Sequence, residues 1–476
     1  MRDSASRRLR QRAGLSQAHR SALPERVFRH RHREDYGREF PPGVRIGPGR
    51  VRNLVPGRLF VLLCALNLLN YIDRQAVTGL LEPIRKDLGA TDTEMGLVGS
   101  AFLLTYTFLP PLFGWLGDRM SRTRLLASSA AVWCVATASS GLIGSVGQLA
   151  VTRGFVGIGE ASYMANSPGL ISDLYPAARR GRMLSIFYSA APIGAAIGVS
   201  LAGYLAGHLG WRAACLLVGI PGLVAAFALF RSPEPPRGSM DVGPVLPPAL
   251  IGVTLRQLFR NSGYRLLTLA FAGHIFVQNA VEYWLPTILQ RDKGIPIAEA
   301  NATYGLMVFI AGIAGPLLGA MAGEWLLRRT PRAYSLIAAL AIVGTIIPLV
   351  ALAVSQTRVV LFGSVLAEAL FGNAATGLVL AIAMGLVGAE VRSTAAAVLL
   401  TSCHLLGDFI SWPLVGAMST AMAGGRLGWL RGLAESAGVR GSDHLSIALV
   451  SVAAPVALAA GILYFASAGR TLVTKS

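Results

Sequence analysis

Apolar runs long enough to cross a bilayer core of roughly 30 Å recur about twelve times in this chain of 476 residues. That recurrence leaves few folds open. Inside lipid each backbone N–H and C=O must be satisfied within the protein, so spanning runs of this length become α-helices. The runs cover 58–81, 95–116, 124–146, 148–174, 182–207, 211–230, 264–289, 302–327, 333–354, 357–388, 393–421 and 445–467. With 53% hydrophobic residues against 14% charged, no separate soluble enzyme domain fits alongside them. A polar segment, R-S-P-E-P-P-R-G-S-M-D from Arg231, divides the runs into six plus six and is followed by an amphipathic piece from Thr254 to Arg260. The expectation is an all-α polytopic membrane protein of twelve transmembrane helices in two six-helix bundles, 58–230 and 264–470. A linker at 231–263 joins them, with tails at 1–57 and 471–476.

The net charge of +19 sits largely outside these runs. Arg7, Arg8, Arg10, Arg12, Arg29, Arg31 and Arg33 stand among Ser, Pro and Gly without apolar periodicity, so the first 57 residues read as disordered. They lack the apolar core of a signal peptide, and translation from an upstream start would also account for them. Next to a membrane span, such a tail fits a topology signal or a lipid contact better than a nucleic-acid site. Arg119, Arg122 and Arg124, then Arg179, Arg180 and Arg182, then Arg328, Arg329 and Arg332 occupy alternate connections. The positive-inside rule puts these, and both termini, in the cytoplasm, with the spans in the plasma membrane. Four cysteines without paired spacing argue against a disulfide framework or zinc site, and no metal or cofactor is expected.

The fourth run holds T-R-G-F-V-G-I-G-E-A-S-Y, Thr152 to Tyr163. Arg153 and Glu160 are seven residues apart and share a helix face, separated by roughly 10 Å along the axis. Gly154, Gly157 and Gly159 let a neighbouring backbone come close. A charge at that depth costs several kcal/mol unless it meets a cavity or a partner, so it marks either a functional site or an ion pair that orients helices. Asp73 and Arg74 in the first run diverge by about 100°, so one faces the cavity and the other a packed helix. In the second half, Glu282 lies beside Tyr283 and Trp284, with His274 and Gln278 on a similar face. His404 and Asp408 are four apart, a proton relay or a structural pair, and Glu368 and Asn373 lie in the tenth run. Tyr163, Tyr188 and Trp284 are candidates for an amphipathic cavity wall, with core packing as the alternative. Arg153 is expected to bind an anionic headgroup while Asp73 and Glu160 exchange protons.

The turn from Gly114 to Arg124, G-W-L-G-D-R-M-S-R-T-R, packs Asp118 among Arg119, Arg122 and Arg124 and suits a gate that pairs with a neighbouring helix end in one conformation. It resembles the G-x-L-x-D-R-x-G-R-R signature of the major facilitator superfamily, with Ser121 in place of the second glycine. Its second-half counterpart, Gly319 to Arg329, keeps Glu324 and the arginines but not the Asp-Arg order. N-Y-I-D-R (Asn70 to Arg74), the Thr152–Tyr163 stretch and R-G-R-M-L-S-I-F-Y (Arg180 to Tyr188) are similar to the spinster-like transporters of that superfamily. The resemblance implies the major facilitator fold and proton-linked movement of lipid-like amphiphiles. It also implies roles in substrate binding and proton coupling at Asp73, Arg74, Arg153 and Glu160.

The expected function is therefore secondary active transport of an amphipathic or anionic small molecule such as a lysolipid. Its partners would be that substrate, protons and membrane lipids, and the protein would be monomeric. The substrate contacts would come from Arg74, Arg153, Tyr163, Glu282, Trp284, His404 and Asp408, and the gate from Gly114, Asp118, Arg119 and Arg122. The alternatives are an organic-anion or drug transporter, and a scramblase or sensor on the same scaffold. There is no Walker sequence to bind ATP and no G-x-S-x-G elbow to support an enzyme.

Overall fold

Helices satisfy their own backbone in lipid, and the computed structural model is helical through most of the residues it describes, 56–237, 239–240, 251–387, 392–440 and 442–468. The basic tail before residue 56, Arg470, Lys475 and the terminal segment 471–476 lie outside them. The first half comprises α1 (Pro56–Leu88), α2 (Asp92–Phe108), α3 (Pro110–Arg119), α4 (Arg122–Ser139), α5 (Val146–Leu174), α6 (Ala177–Tyr188) and α7 (Ala190–Phe230). The amphipathic piece is α8 (Ile251–Arg260). The second half comprises α9 (Ser262–Arg291), α10 (Ile297–Leu327), α11 (Ala333–Gly344), α12 (Ile346–Val354), α13 (Arg358–Ala374), α14 (Thr376–Gly385), α15 (Arg392–Cys403), α16 (Phe409–Ala423), α17 (Gly428–Ser436) and α18 (His444–Ala468).

These resolve into the twelve expected spans. Pro110 and Pro111 bend α2 against α3 by 42°. Gly210, at φ +82°, splits α7 into two spans, a conformation glycine adopts without a Cβ penalty. Thr345 and Ala375 break α11–α12 and α13–α14, and a π-helical turn, His404–Asp408, joins α15 to α16. Three spans, α1, α5 and α9, are not apolar enough to qualify by composition. They carry Asp73 and Arg74, Arg153 and Glu160, and Glu282 respectively, so departure from an ordinary lipid-facing sequence already marks the helices that build the site. α1 also runs past the expected residue 81 to Leu88, because Glu82, Arg85 and Lys86 end it in a polar cluster rather than in lipid.

Within the first half α7 packs along α1 and α4, and α5 along α2 and α4; in the second, α9 lies along α18 and α10 along α13. The halves meet along α7–α10, α2–α16 and α1–α9. Hydrogen bonds and ion pairs between described residues of the two halves come from α1 from Gln75 onward, α2 as far as Ser100, and Ser200. Their partners are α9 from Glu282, Asn301, and α16. The arginine-rich turns make none. Among the described residues, the bonds between the halves thus gather toward the end carrying residues 89–91 and 292–296, which is held shut.

At the arginine-rich end the described linker residues between 231 and 240 bind the first half, and Asn261 at the linker's far end donates to Leu386 O of the second. Arg237 donates to the carbonyls of Gly117 (2.7 Å), Met120 (2.6 Å) and Asp118, which α3 leaves without intrahelical donors at its C-terminus. Arg122 pairs with Asp173 and receives Glu234 from the linker on its backbone N–H at 3.0 Å. The expected role of Asp118 is not seen: its side chain is exposed and makes no ion pair with a described residue, while Arg119 stacks on Trp115 at 4.2 Å. The glycine that matters is Gly117 rather than Gly114. A Cβ on Gly117 would meet Asn166 Oδ1 at 1.7 Å, whereas Gly114 has open space around it.

Of the three glycines in α5, two are needed for close approach. A Cβ on Gly157 would lie 2.4 Å from Phe102 O, and one on Gly159 2.5 Å from Ser129 O, while Gly154 has no neighbour nearer than 3.9 Å. The same test at the closed end puts a Gly96 Cβ 2.6 Å from both Pro413 Cα and Trp412 O, backbone that cannot give way. Gly96→Leu is therefore expected to lower the unfolding temperature in detergent, by overpacking worth about 1–3 kcal/mol, whereas Gly114→Ala leaves it level or raises it. Equal behaviour of the two variants would contradict this packing.

Candidate functional site

Successive residues of α1 fan out by 100°, and the fan decides the site. Arg74 points at α5, where its Nη2 and Nε donate to Glu160 Oε2 at 2.5 and 3.0 Å. Its guanidinium lies against three rings, Tyr106 at 4.4 Å, Phe102 at 5.0 Å and Tyr71 at 5.3 Å from their centroids, a setting that favours a desolvated cation. Arg153, two turns before Glu160, sits over the same Phe102 ring at 5.1 Å. It pairs with no described carboxylate and its Nη1 has no hydrogen-bond partner. Asp73 faces inward, 1% exposed, with neither oxygen bonded.

Arg74 and Arg153 line a cavity of about 200 Å³ between the halves. Tyr71, Gln75, Phe102 and Tyr106 complete the first-half wall; Asn279, Glu282, Tyr283, His404, Asp408 and Trp412 form the other. His404 Nδ1 donates to Asp408 Oδ2 at 2.7 Å, and Asn279 Nδ2 to Asp408 Oδ1 at 2.5 Å. The π turn widens the helix at this pair, a distortion that recurs at functional sites. Gln75 Nε2 reaches across to Glu282 Oε1 at 2.5 Å, and Tyr283 stacks on Trp412 with centroids 4.4 Å apart.

Arg74, Arg153, Glu282, His404 and Asp408 thus come together. Other expectations are corrected. Glu160 is 0% exposed and does not line the cavity; it reaches the cavity through Arg74. Its cation is Arg74, not Arg153. Tyr163 is core: its ring packs between Trp133 and Phe187 and its hydroxyl donates to Leu63 O. Trp284 is buried too, with Nε1 donating to Trp412 O at 3.2 Å, and its neighbour Tyr283 presents the ring to the cavity instead. His274 also leaves the site, its Nε2 held by Gly372 O at 2.7 Å. Tyr71, Gln75, Phe102, Tyr106, Asn279 and Trp412 were missed, although Tyr71 and Gln75 flank the I-D-R of the first run.

Residues 63–411 match the sequence profile of the Major Facilitator Superfamily. The chain is 34% identical over 347 residues to protein spinster homolog 1 of Homo sapiens, covering 68% of this chain and 65% of the human protein. It is 31% identical over 310 residues to protein spinster of Drosophila melanogaster, covering 63% and 51%. The matched part thus spans less than two thirds of these relatives. A solved bacterial homolog of the human lysosomal transporter Spinster, inward-facing and unoccupied, superposes with a TM-score of 0.80 at 23% identity over 88% of this chain and 98% of that one. A D-xylose–proton symporter does so at 0.61 and 18% identity over 85% and 96%. At these identities the structural likeness is one of fold.

Beyond the cavity, the closed end is locked by charges that the apolar runs gave no reason to expect. Arg291 donates to both Asp92 oxygens at 2.8 and 3.1 Å, Ser419 adds a bond to Asp92 at 2.6 Å, and Arg85 chelates Glu82 with both contacts at 3.0 Å. Asp292, just past α9, accepts from Ser446 N (2.8 Å) and Oγ (2.6 Å). Burial pushes its carboxyl up to about 6 against the opposing pull of Ser446 and Arg291. Because that value lies above the ordinary 3.8, the folded protein holds this proton more tightly than the unfolded chain. The resulting stabilisation is full at low pH and is lost as pH rises to about 6, by at most about 3 kcal/mol. The gain in unfolding temperature between pH 7 and pH 5 should accordingly be larger in the wild type than in Asp292→Asn. An identical pH response in the two proteins would remove Asp292 from the account.

Proposed function

The chain belongs to the major facilitator superfamily, and on that premise we propose that it is a secondary active transporter that couples protons to the movement of an anionic amphiphile by alternating access. The observation that carries this reading is the Arg74–Glu160 pair set into the wall of a cavity between two halves, with Arg153 uncommitted beside it. The arginine-rich turns are cytoplasmic by the positive-inside rule, so the shut end is the outer one and the conformation is inward-facing.

An anionic headgroup entering from the cytoplasmic end reaches Arg74 first, because Arg153, 4% exposed, lies two turns of α5 nearer the shut end. It then competes with Glu160 for Arg74. Removing one partner of a buried ion pair costs about 3–5 kcal/mol when nothing replaces it, so Arg74 changes partners rather than standing alone. Glu160, displaced from its cation in dry surroundings, takes up a proton. Asp73, buried one residue from Arg74 without a partner of its own, is the relay for that proton. The five rings of Tyr71, Phe102, Tyr106, Tyr283 and Trp412 make the wall amphipathic, which fits the proximal part of a lipid better than a sugar. The solved bacterial homolog of the lysosomal transporter Spinster supports a transporter.

The test is uptake of lysophosphatidic acid into liposomes carrying the purified protein, with and without an imposed pH gradient. Wild type should accumulate it along the gradient. Glu160→Gln should still bind it but lose the gradient dependence, and Arg153→Gln should weaken binding about 10–100-fold, the loss of a charge-assisted bond. Gradient-driven accumulation that persists in Glu160→Gln would remove Glu160 from coupling. Gradient-independent equilibration by the wild type would make the protein a scramblase.

A further inference from the structure

The connection between the last two spans, residues 424–443, breaks the charge pattern of the rest of the chain. It lies at the shut end, where the positive-inside rule gives arginine no role, yet it carries Arg426, Arg431 and Arg440, all exposed. Its acidic residues are Glu435 and Asp443, and both are already taken. Arg431 Nε meets Glu435 Oε1 at 3.1 Å, and Lys293 Nζ meets Asp443 Oδ2 at 3.3 Å. Arg426 and Arg440 pair with no described carboxylate.

Between those two arginines runs α17, and helical spacing gives it three faces. Leu427, Leu430 and Ala434 pack against buried core residues. One step of 100° away around the axis, Trp429 and Leu433 are 66% and 59% exposed. One step the other way stands the exposed Arg431–Glu435 pair. The helix is pinned close to the span ends: Arg426 N donates to Ala421 O and Val439 N to Ala434 O, both at 2.9 Å. Gly438, at φ +89°, turns Val439 into the core. Only residues 424–427 separate α17 from the end of α16, so with Leu430 and Ala434 on the core it stays at the level where that span leaves the bilayer. At that level an indole finds acyl chains for its ring and headgroups for its N–H.

We propose that α17 lies in the outer-leaflet interface and docks on anionic phospholipids, with Trp429 and Leu433 among the acyl chains and Arg426 and Arg440 on the phosphates. Charge complementarity selects the partner, since each arginine close to an anionic surface favours it by about fivefold. A protein partner is the weaker fit, because the charged flank is closed on itself by the Arg431–Glu435 pair. The chain leaving α17 runs directly into the shut end: Asp443 holds Lys293, whose Nζ also donates to Ala353 O at 2.7 Å, and Ser446 holds Asp292. Lipid docking therefore anchors the outer rim of the second half at a fixed depth. This goes beyond the transporter reading and holds whatever the cavity carries.

The test places the purified full-length protein in nanodiscs of equal phosphatidylglycerol and phosphatidylcholine, with bromine on the acyl chains of one lipid or the other as a short-range quencher of tryptophan fluorescence. Subtracting Trp429→Phe from the wild type isolates the Trp429 signal. In the double variant Arg426→Gln/Arg440→Gln both changed residues are exposed, so it keeps its fold. The expected result is quenching of Trp429 by bromine near the headgroup end of the chain, at least about twofold stronger when phosphatidylglycerol carries it, with that preference lost in the double variant. Equal quenching by the two lipids in the wild type overturns the anionic docking. A Trp429 signal untouched by any brominated lipid puts α17 in water or against another protein and overturns the proposal outright. So does quenching only by bromine at the chain tip, and so does a lipid preference that persists without Arg426 and Arg440.

Discussion

The contact on which the remainder depends is the ion pair between Arg74 and Glu160. Two opposite charges removed from water lose several kcal/mol of hydration each, and their attraction repays this only with good geometry and satisfied hydrogen bonds. Here Arg74 meets one oxygen of Glu160 through two nitrogens and rests against three aromatic rings. The pair is open to exchange, because Glu160 is sealed in, with Oε1 left without a hydrogen bond, and Arg74 is not: the cation's side chain keeps 20% of its surface exposed, the carboxylate's 0%. An incoming anion can reach the cation without the carboxylate leaving first. That asymmetry is what a plain helix-orienting pair would lack.

The rest of the fold serves to keep this pair at a boundary. Gly157 and Gly159 draw α5 against α2 and α4, which brings Phe102 under both guanidiniums and fixes the depth of Glu160. The closed end is bonded between halves by Asp92, Arg291, Ser419 and Glu82, together with backbone contacts of glycine. At the other end the linker's Arg237 and Glu234 stay within the first half. They brace α3 and α4 as a unit rather than tying that unit to its neighbour, so the first half can turn without breaking its own polar contacts.

Much of this was legible in the sequence, and the losses have a common cause. Twelve apolar runs, the half-way linker and the charges at Arg153, Glu160, Asp73 and Arg74 follow from composition and spacing alone. Helical periodicity fixes which residues share a face but not which neighbour that face meets. Sequence leaves Tyr163 and Trp284 open between cavity wall and core; the helices are rotated so that both are core and Tyr283 and Tyr106 line the cavity. Arg153 shares a helix face with Glu160, whereas the cation that reaches Glu160 comes from α1, 86 residues away in sequence. The closed-end cluster was hidden because Glu82, Arg85 and Asp92 look like ordinary solvated residues at the end of a span until Arg291, about two hundred positions later, is placed among them.

On the proposed reading, the distribution of charge between the halves would join binding to conformational change. A ligand moves an equilibrium between two conformations only by its difference in affinity for them. Arg74 and Arg153 belong to the first half, and Glu282, Glu368, His404 and Asp408 to the second. Anything touching only one set would bind equally well however the halves are tilted and would leave the balance where it was. A ligand touching both has full contact only when the two walls are at the right separation, so its binding energy is available for rocking. The Gln75–Glu282 bond already crosses that gap, and a ligand that displaces it would exchange one inter-half contact for several.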